Sequence, residues 1–149
     1  MKNRVVGALA GIVVAVAASA VIAQSDPIAM RKALMKQNND HARSMVQMMR
    51  GQVPLDATKI DAAFAQWADT AQKFPGLFPD NSKTGGKTRA TPKLWQSKSD
   101  FNTKAAEFGK AVADNRDKAK ASLDGLKAAI GTVGKTCDNC HEDYRAPQQ

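Results

Sequence analysis

The chain of 149 residues has few of the groups from which sites are assembled: two cysteines, two histidines and one tyrosine. Two cysteines that share one motif leave none to staple the fold elsewhere, so stability must come from packing and from whatever the motif binds. No alternating apolar and polar run marks a β-strand. No block of Lys and Arg interleaved with aromatics marks a nucleic-acid surface. No acid/base pair, nucleophile constellation or phosphate-binding loop stands out, and the chain reads as a non-enzyme. Its length suits one compact domain and is short for two.

The two cysteines stand together in Cys137-Asp138-Asn139-Cys140-His141, the CxxCH pentapeptide of covalent haem attachment. That chemistry needs two thiols, each adding to one vinyl group, and an imidazole that reaches the iron from the same side. On a helix, Cys137 and Cys140 are three residues apart and His141 is four from Cys137, so all three share a face. His141 is then the proximal ligand, through one ring nitrogen. Three other readings compete. A thioredoxin-like CxxC opens a helix after a strand, whereas this one lies near the end of a long helical pattern. Zinc normally takes four ligands and would need the remote His41. A disulfide would leave the adjacent histidine without a role.

Residues 1–23 carry Lys2 and Arg4, an apolar run from Val5 to Ala18, and the small-residue exit Ser19-Ala20-Val21-Ile22-Ala23. This is the pattern of a secretory signal peptide cut before Gln24, with a cut after Ala20 as the alternative. An uncleaved anchor is the competing reading, because Val5 to Ala23 is 19 residues long. The abundance of Ala and Gly favours cleavage, and no twin-arginine signature is present. The mature domain is residues 24–149 and its destination is the periplasm, where c-type haem is attached. Loss of Lys2 and Arg4 takes the formal charge from +8 to +6. Such a surface can steer acidic partners, or be a solvated helical surface with scattered lysines.

Four amphipathic helices are expected. Ser25-Asp26-Pro27 starts the first, which runs to about Arg50 with an inward stripe of Ile28, Arg31, Met35, Asn38, Ala42, Met45 and Met49, and Gly51 stops it. The second follows Pro54 and Asp56 and buries Ile60, Phe64, Trp67, Ala71 and Phe74. Residues 75–91 form a loop that Leu77 and Phe78 tuck onto the bundle. Thr91-Pro92 opens the third, marked by Leu94, Trp95, Phe101, Ala105, Phe108 and Val112, with Lys98 interrupting. Asp114-Asn115 is read as the turn into the fourth, which carries Ala119, Leu123, Leu126, Ile130, Val133, Cys137, Cys140 and Tyr144. One long and two short connections predict an all-α, antiparallel up-down-up-down four-helix bundle, with covalent haem near the end of the fourth helix.

That topology sets His141 beside the start of the first helix. Met45, Met48 and Met49 lie ten or more residues past Met35, roughly 15 Å or more toward the wrong end, and read as core filler. Met30 is turned about 140° and His41 about 120° from the Met35 direction, so both are peripheral. Met35 alone combines height and phase and is the expected distal residue. Arg31 and Asn38 share its stripe and would be buried without partners unless a cofactor edge lay there; a haem propionate would partner Arg31.

The segments RKALMKQ (Arg31 to Gln37), LFP followed by ATPKLW (Ala90 to Trp95), and VGKTCDNCHEDYR (Val133 to Arg145) resemble the class II c-type cytochromes, the group of cytochrome c-prime and its low-spin relatives. The resemblance spans the mature chain. It implies one haem c on Cys137 and Cys140, His141 as proximal ligand, Arg31 as a pocket arginine and Arg145 as a basic residue near that histidine. It also implies a family division at position 35. Leu or Phe there leaves five-coordinate iron that binds small gases such as nitric oxide or carbon monoxide. Met there can ligate, giving low-spin iron suited to electron transfer with periplasmic redox partner proteins. Relatives are often homodimers through the first two helices.

Overall fold

The chain's structure, a computed structural model, describes residues 26–147; the signal-peptide reading and both cut positions lie outside them. Polar caps start the long helices where the sequence places them. Asp26 accepts a hydrogen bond from the Ile28 amide at 2.9 Å and Pro27 opens α1 (Pro27–Met49). Gly51, at φ +67°, follows its end. Asp56 accepts from the Lys59 amide at 3.0 Å and starts α2 (Ala57–Lys73). Along α1, Ile28, Arg31, Met45 and Met48 are buried, and Met35, Asn38, Ala42 and Met49 are half-buried. On α2, Ile60, Phe64 and Trp67 are buried and Ala71 half-buried, and Phe74, which caps the helix at its C-terminal end, is half-buried.

The expected third helix is two. Lys93–Gln96 forms the short α3, the chain breaks at Ser97, and α4 runs Lys98–Ala121. The break follows from what its residues hold. The Trp95 indole donates to the Phe78 carbonyl at 3.1 Å, and the Lys98 ammonium to the same oxygen at 2.8 Å. The lysine that interrupts the apolar stripe is thus tied to the loop, whose Phe78 is buried as expected.

The turn into the last helix is not at Asp114-Asn115. Both residues stay helical: Lys110 pairs with Asp114 one turn on, and the Asn115 amide donates to the Ala111 carbonyl at 2.8 Å. The turn is Ser122, whose hydroxyl accepts from the Gly125 amide at 3.0 Å and starts α5 (Leu123–Tyr144). Leu123 consequently sits at the bundle end, 37% exposed, rather than in the core.

α4 packs most extensively on α5 and α2, while α1 touches α2 and α5 more lightly, giving the antiparallel four-helix bundle. Two apolar clusters fill it. One runs along the middle and far end, with Met45, Met48, Phe64 and Leu126. The other, of Phe78, Leu94, Phe101 and Tyr144, lies beneath the long loop near the end of α5. Among the described residues no helix is long and apolar enough to cross a membrane.

Candidate functional site

The light packing of α1 leaves a cleft of about 620 Å³, within the range of cofactor sites. α5 lines it with Val133, Cys137, Cys140, His141 and Tyr144, and α1 with Arg31, Met35, Asn38 and Ala42. Trp67 comes from α2, Phe74 from its C-terminal cap, and Phe101 and Phe108 from α4. The cleft thus brings together every residue singled out from the sequence: Cys137, Cys140, His141, Met35, Arg31 and Arg145. Met30 is 39% exposed and, like His41, outside the lining.

The chemistry of the donor set suits a covalent haem. Cys137 and Cys140 are half-buried one helical turn apart and not joined to each other. Burial pushes the Cys137 thiol up to about 11 and raises Cys140 as well. Neither is the acidic thiol of a redox-active CxxC. Burial, reinforced by Arg145, lowers His141 to about 4, so its imidazole is neutral with a lone pair to give. Among the described residues no three His, Cys, Asp or Glu side chains gather as a metal-binding group.

Arg31 is placed differently from the reasoning that selected it. It lines the cleft, but its fork is engaged by the loop. Nη1 donates to the Leu77 carbonyl and Ser82 Oγ, both at 3.0 Å, and Nη2 to the Ser82 carbonyl at 2.8 Å and Thr88 Oγ1 at 2.7 Å. The guanidinium also lies 4.7 Å from the Phe78 ring centre. Asn38 likewise has protein partners: its Oδ1 accepts from Thr70 Oγ1 at 2.9 Å and its carbonyl from the Trp67 indole at 3.3 Å. Neither residue requires a cofactor to satisfy it. The case for Met35 therefore rests on its place in the cleft, not on unpartnered neighbours.

Sequence reasoning missed Lys32, Lys87, Arg89 and Lys104, all of which line the cleft. Lys104, three residues from Phe101 on α4, was legible from helical spacing. Lys87 and Arg89 were not, since they stand in an aperiodic loop.

A bundle whose last helix carries CxxCH into a cleft of this size defines a c-type cytochrome of the four-helix class. The cytochrome c' family model matches residues 26–145, and the chain belongs to that family, whose cofactor is one covalent haem c. Cytochrome c' of Rhodopseudomonas palustris is 40% identical over 98% of both chains. Cytochrome c-556 of the same organism is 39% identical, covering 86% of this chain and 88% of its own. The structural model of oxidised R. palustris cytochrome c556 superimposes with a TM-score of 0.78 at 35% identity, covering 85% of this chain and all of its own.

Proposed function

We propose that this chain is a periplasmic one-electron carrier whose haem would be held by Cys137 and Cys140, with His141 and Met35 as the residues that would ligate its iron. The observation that carries this is that Met35, from α1, lines the same cleft as the motif on α5. Cys137 and Cys140 would hold the haem through two thioether bonds. Haem c supplies the Fe(III)/Fe(II) couple when bound. His141 would hold the iron through its neutral lone pair, and the Met35 thioether, as a second ligand, would favour the reduced metal and raise the potential. The apolar walls from Phe74, Phe101 and Phe108 exclude water and hold the site's shape between oxidation states. Arg145 adds positive charge beside His141.

Export through residues 1–23 suits this role, since haem attachment takes place in the periplasm. The second reading is gas binding at five-coordinate iron, with Met35 only crowding the distal face. Relatives named cytochrome c' and cytochrome c-556 at nearly equal identity favour keeping it. An optical spectrum decides. A low-spin ferric spectrum with a sulfur-to-iron band, turned high-spin by Met35→Ala, is expected of the carrier. High-spin iron in the native protein sinks Met35 as ligand and selects gas binding.

A further inference from the structure

The carrier role needs a surface at which another protein delivers or takes the electron, and the mouth of the cleft has a distinctive one. Its lining holds six cations, Arg31, Lys32, Lys87, Arg89, Lys104 and Arg145, against the single acid Asp138. Arg31 is buried and Lys104 is paired with Asp143. The remaining four, Lys32, Lys87, Arg89 and Arg145, are exposed, and none takes part in an ion pair among the described residues. Elsewhere Lys36, Lys73 and Lys110 are paired with an aspartate one turn away, while Arg43, Arg50, Lys118 and Lys135 are unpaired among the described residues but lie outside the cleft, so what sets the rim apart is that its four line one opening.

The four are also neighbours, and Lys32 and Arg89 are held by backbone carbonyls rather than by counter-charges. Lys32 Nζ donates to the Gly86 carbonyl at 3.1 Å, next to Lys87. Arg89 donates to the Ala146 carbonyl through Nε at 2.9 Å and Nη2 at 2.6 Å, next to Arg145. Ala90 and Arg145 form a β-bridge. Gly85, Gly86 and Lys87 all take positive φ in the tight turn that sets this strip between α1 and α5. Carbonyl partners fix the Lys32 and Arg89 side chains without cancelling their charge, so that part of the field stands outward and is preorganised. The two propionates of a haem would offset at most half of it.

We infer that the rim of Lys32, Lys87, Arg89 and Arg145 is the docking face for the acidic surface of a redox-partner protein. The inference rests on the electron-carrier reading. A protein fits better than a small anion, because the cations are spread over three segments and Lys32 and Arg89 already spend donors on carbonyls instead of converging on one point. Nucleic acid fits poorly, since no aromatic side chain stands among the rim cations to stack a base.

The test uses the holoprotein and an acidic [2Fe–2S] ferredoxin as probe. One electron passes from the reduced ferredoxin to the ferric cytochrome, and stopped-flow spectroscopy gives the second-order rate. The double variant Lys32→Glu with Lys87→Glu is expected to lose about tenfold or more at low salt, the deficit shrinking as ionic strength rises. Lys118→Glu with Arg50→Glu, at the other end of the bundle, is the control and keeps the native rate. Equal losses in the two variants, or none in the rim variant, overturn the docking face. So does inhibition by inorganic phosphate well beyond chloride at matched ionic strength, which marks a small-anion site, or tighter binding of a short DNA duplex than of ferredoxin. Amide shifts at residues 86–90 on adding oxidised ferredoxin support docking independently of electron flow. A high-spin native spectrum strikes Met35 ligation and with it the electron-carrier reading, while the amide titration decides the docking face separately.

Discussion

Arg31 and Ser82, 51 residues apart, are joined twice, the guanidinium donating to both the hydroxyl and the carbonyl of the serine. With its bonds to Leu77 and Thr88, this makes Arg31 the clasp that fastens the loop of residues 75–91 to the start of α1. The clasp lies one helical turn before Met35, so the loop braces the stretch of α1 that reaches the cleft.

Arg31→Leu removes the fork and takes its donors from the buried Ser82 carbonyl and the half-buried Leu77 carbonyl. Losses of about 2–4 kcal/mol are expected, because charge-assisted bonds are lost and acceptors stranded. Arg31→Lys keeps the charge but not the planar fork and should recover only part of it. Urea unfolding of the holoproteins measures both. A loss under about 0.5 kcal/mol for Arg31→Leu would show that the loop does not depend on the clasp.

Gly125 explains why the turn between α4 and α5 could not be read from the sequence. A Cβ at this position would stand 2.2 Å from the Lys118 carbonyl oxygen, so α4 approaches α5 as closely as it does because no side chain is there. The turn signal was Ser122 with Gly125, not the more polar Asp114-Asn115. Gly125→Ala should destabilise the protein despite alanine's better helix propensity, by more than about 1 kcal/mol, since backbone must move. A thermal melt at or above that of the native protein would show the helix end yields freely.

The helices were legible because caps and apolar period agree with the packing, and the shared cleft wall because a motif and helical phase bring Cys137, Cys140, His141 and Met35 to it. Arg31's partners were not legible, as they lie 46 to 57 residues away in a loop with no period. Leu123 was misplaced for a similar reason. Its spacing matches the core stripe of α5, yet it falls at the helix's first position, past the layer that covers the rest.

That difference is measurable. Phe101 is 1% exposed and meets Phe78 edge-on with ring centres 4.9 Å apart and Tyr144 at 5.4 Å. Phe101→Ala should cost about 3–5 kcal/mol, through lost burial and the cavity left behind. Leu123→Ala, at the bundle end, should cost under about 1 kcal/mol, as little packing is lost. Comparable losses in guanidinium unfolding would contradict the exposure of Leu123.

Asp61 joins α2 to α4 through two cations. Arg116 donates to both its oxygens, at 2.9 and 2.7 Å, and Lys120 Nζ donates to Oδ1 at 2.9 Å. The Arg116 and then the Lys120 hydrogen bonds hold its carboxyl well below the usual carboxylate range. In the unfolded chain it titrates at about 3.9. A folded value depressed below the unfolded one means the unfolded state binds the proton more readily, so stability falls as pH falls. The stabilisation is fully present above the unfolded value and is lost progressively as acid approaches the folded one. Asp61→Asn lacks this dependence, so its stability deficit should be constant from pH 7 to about 5 and shrink below about pH 4. Taking the difference between the two proteins at each pH removes contributions from other titrating groups. Unfolding curves at a series of pH values check it, and a deficit that grows on acidification would reverse the sign assigned to this network.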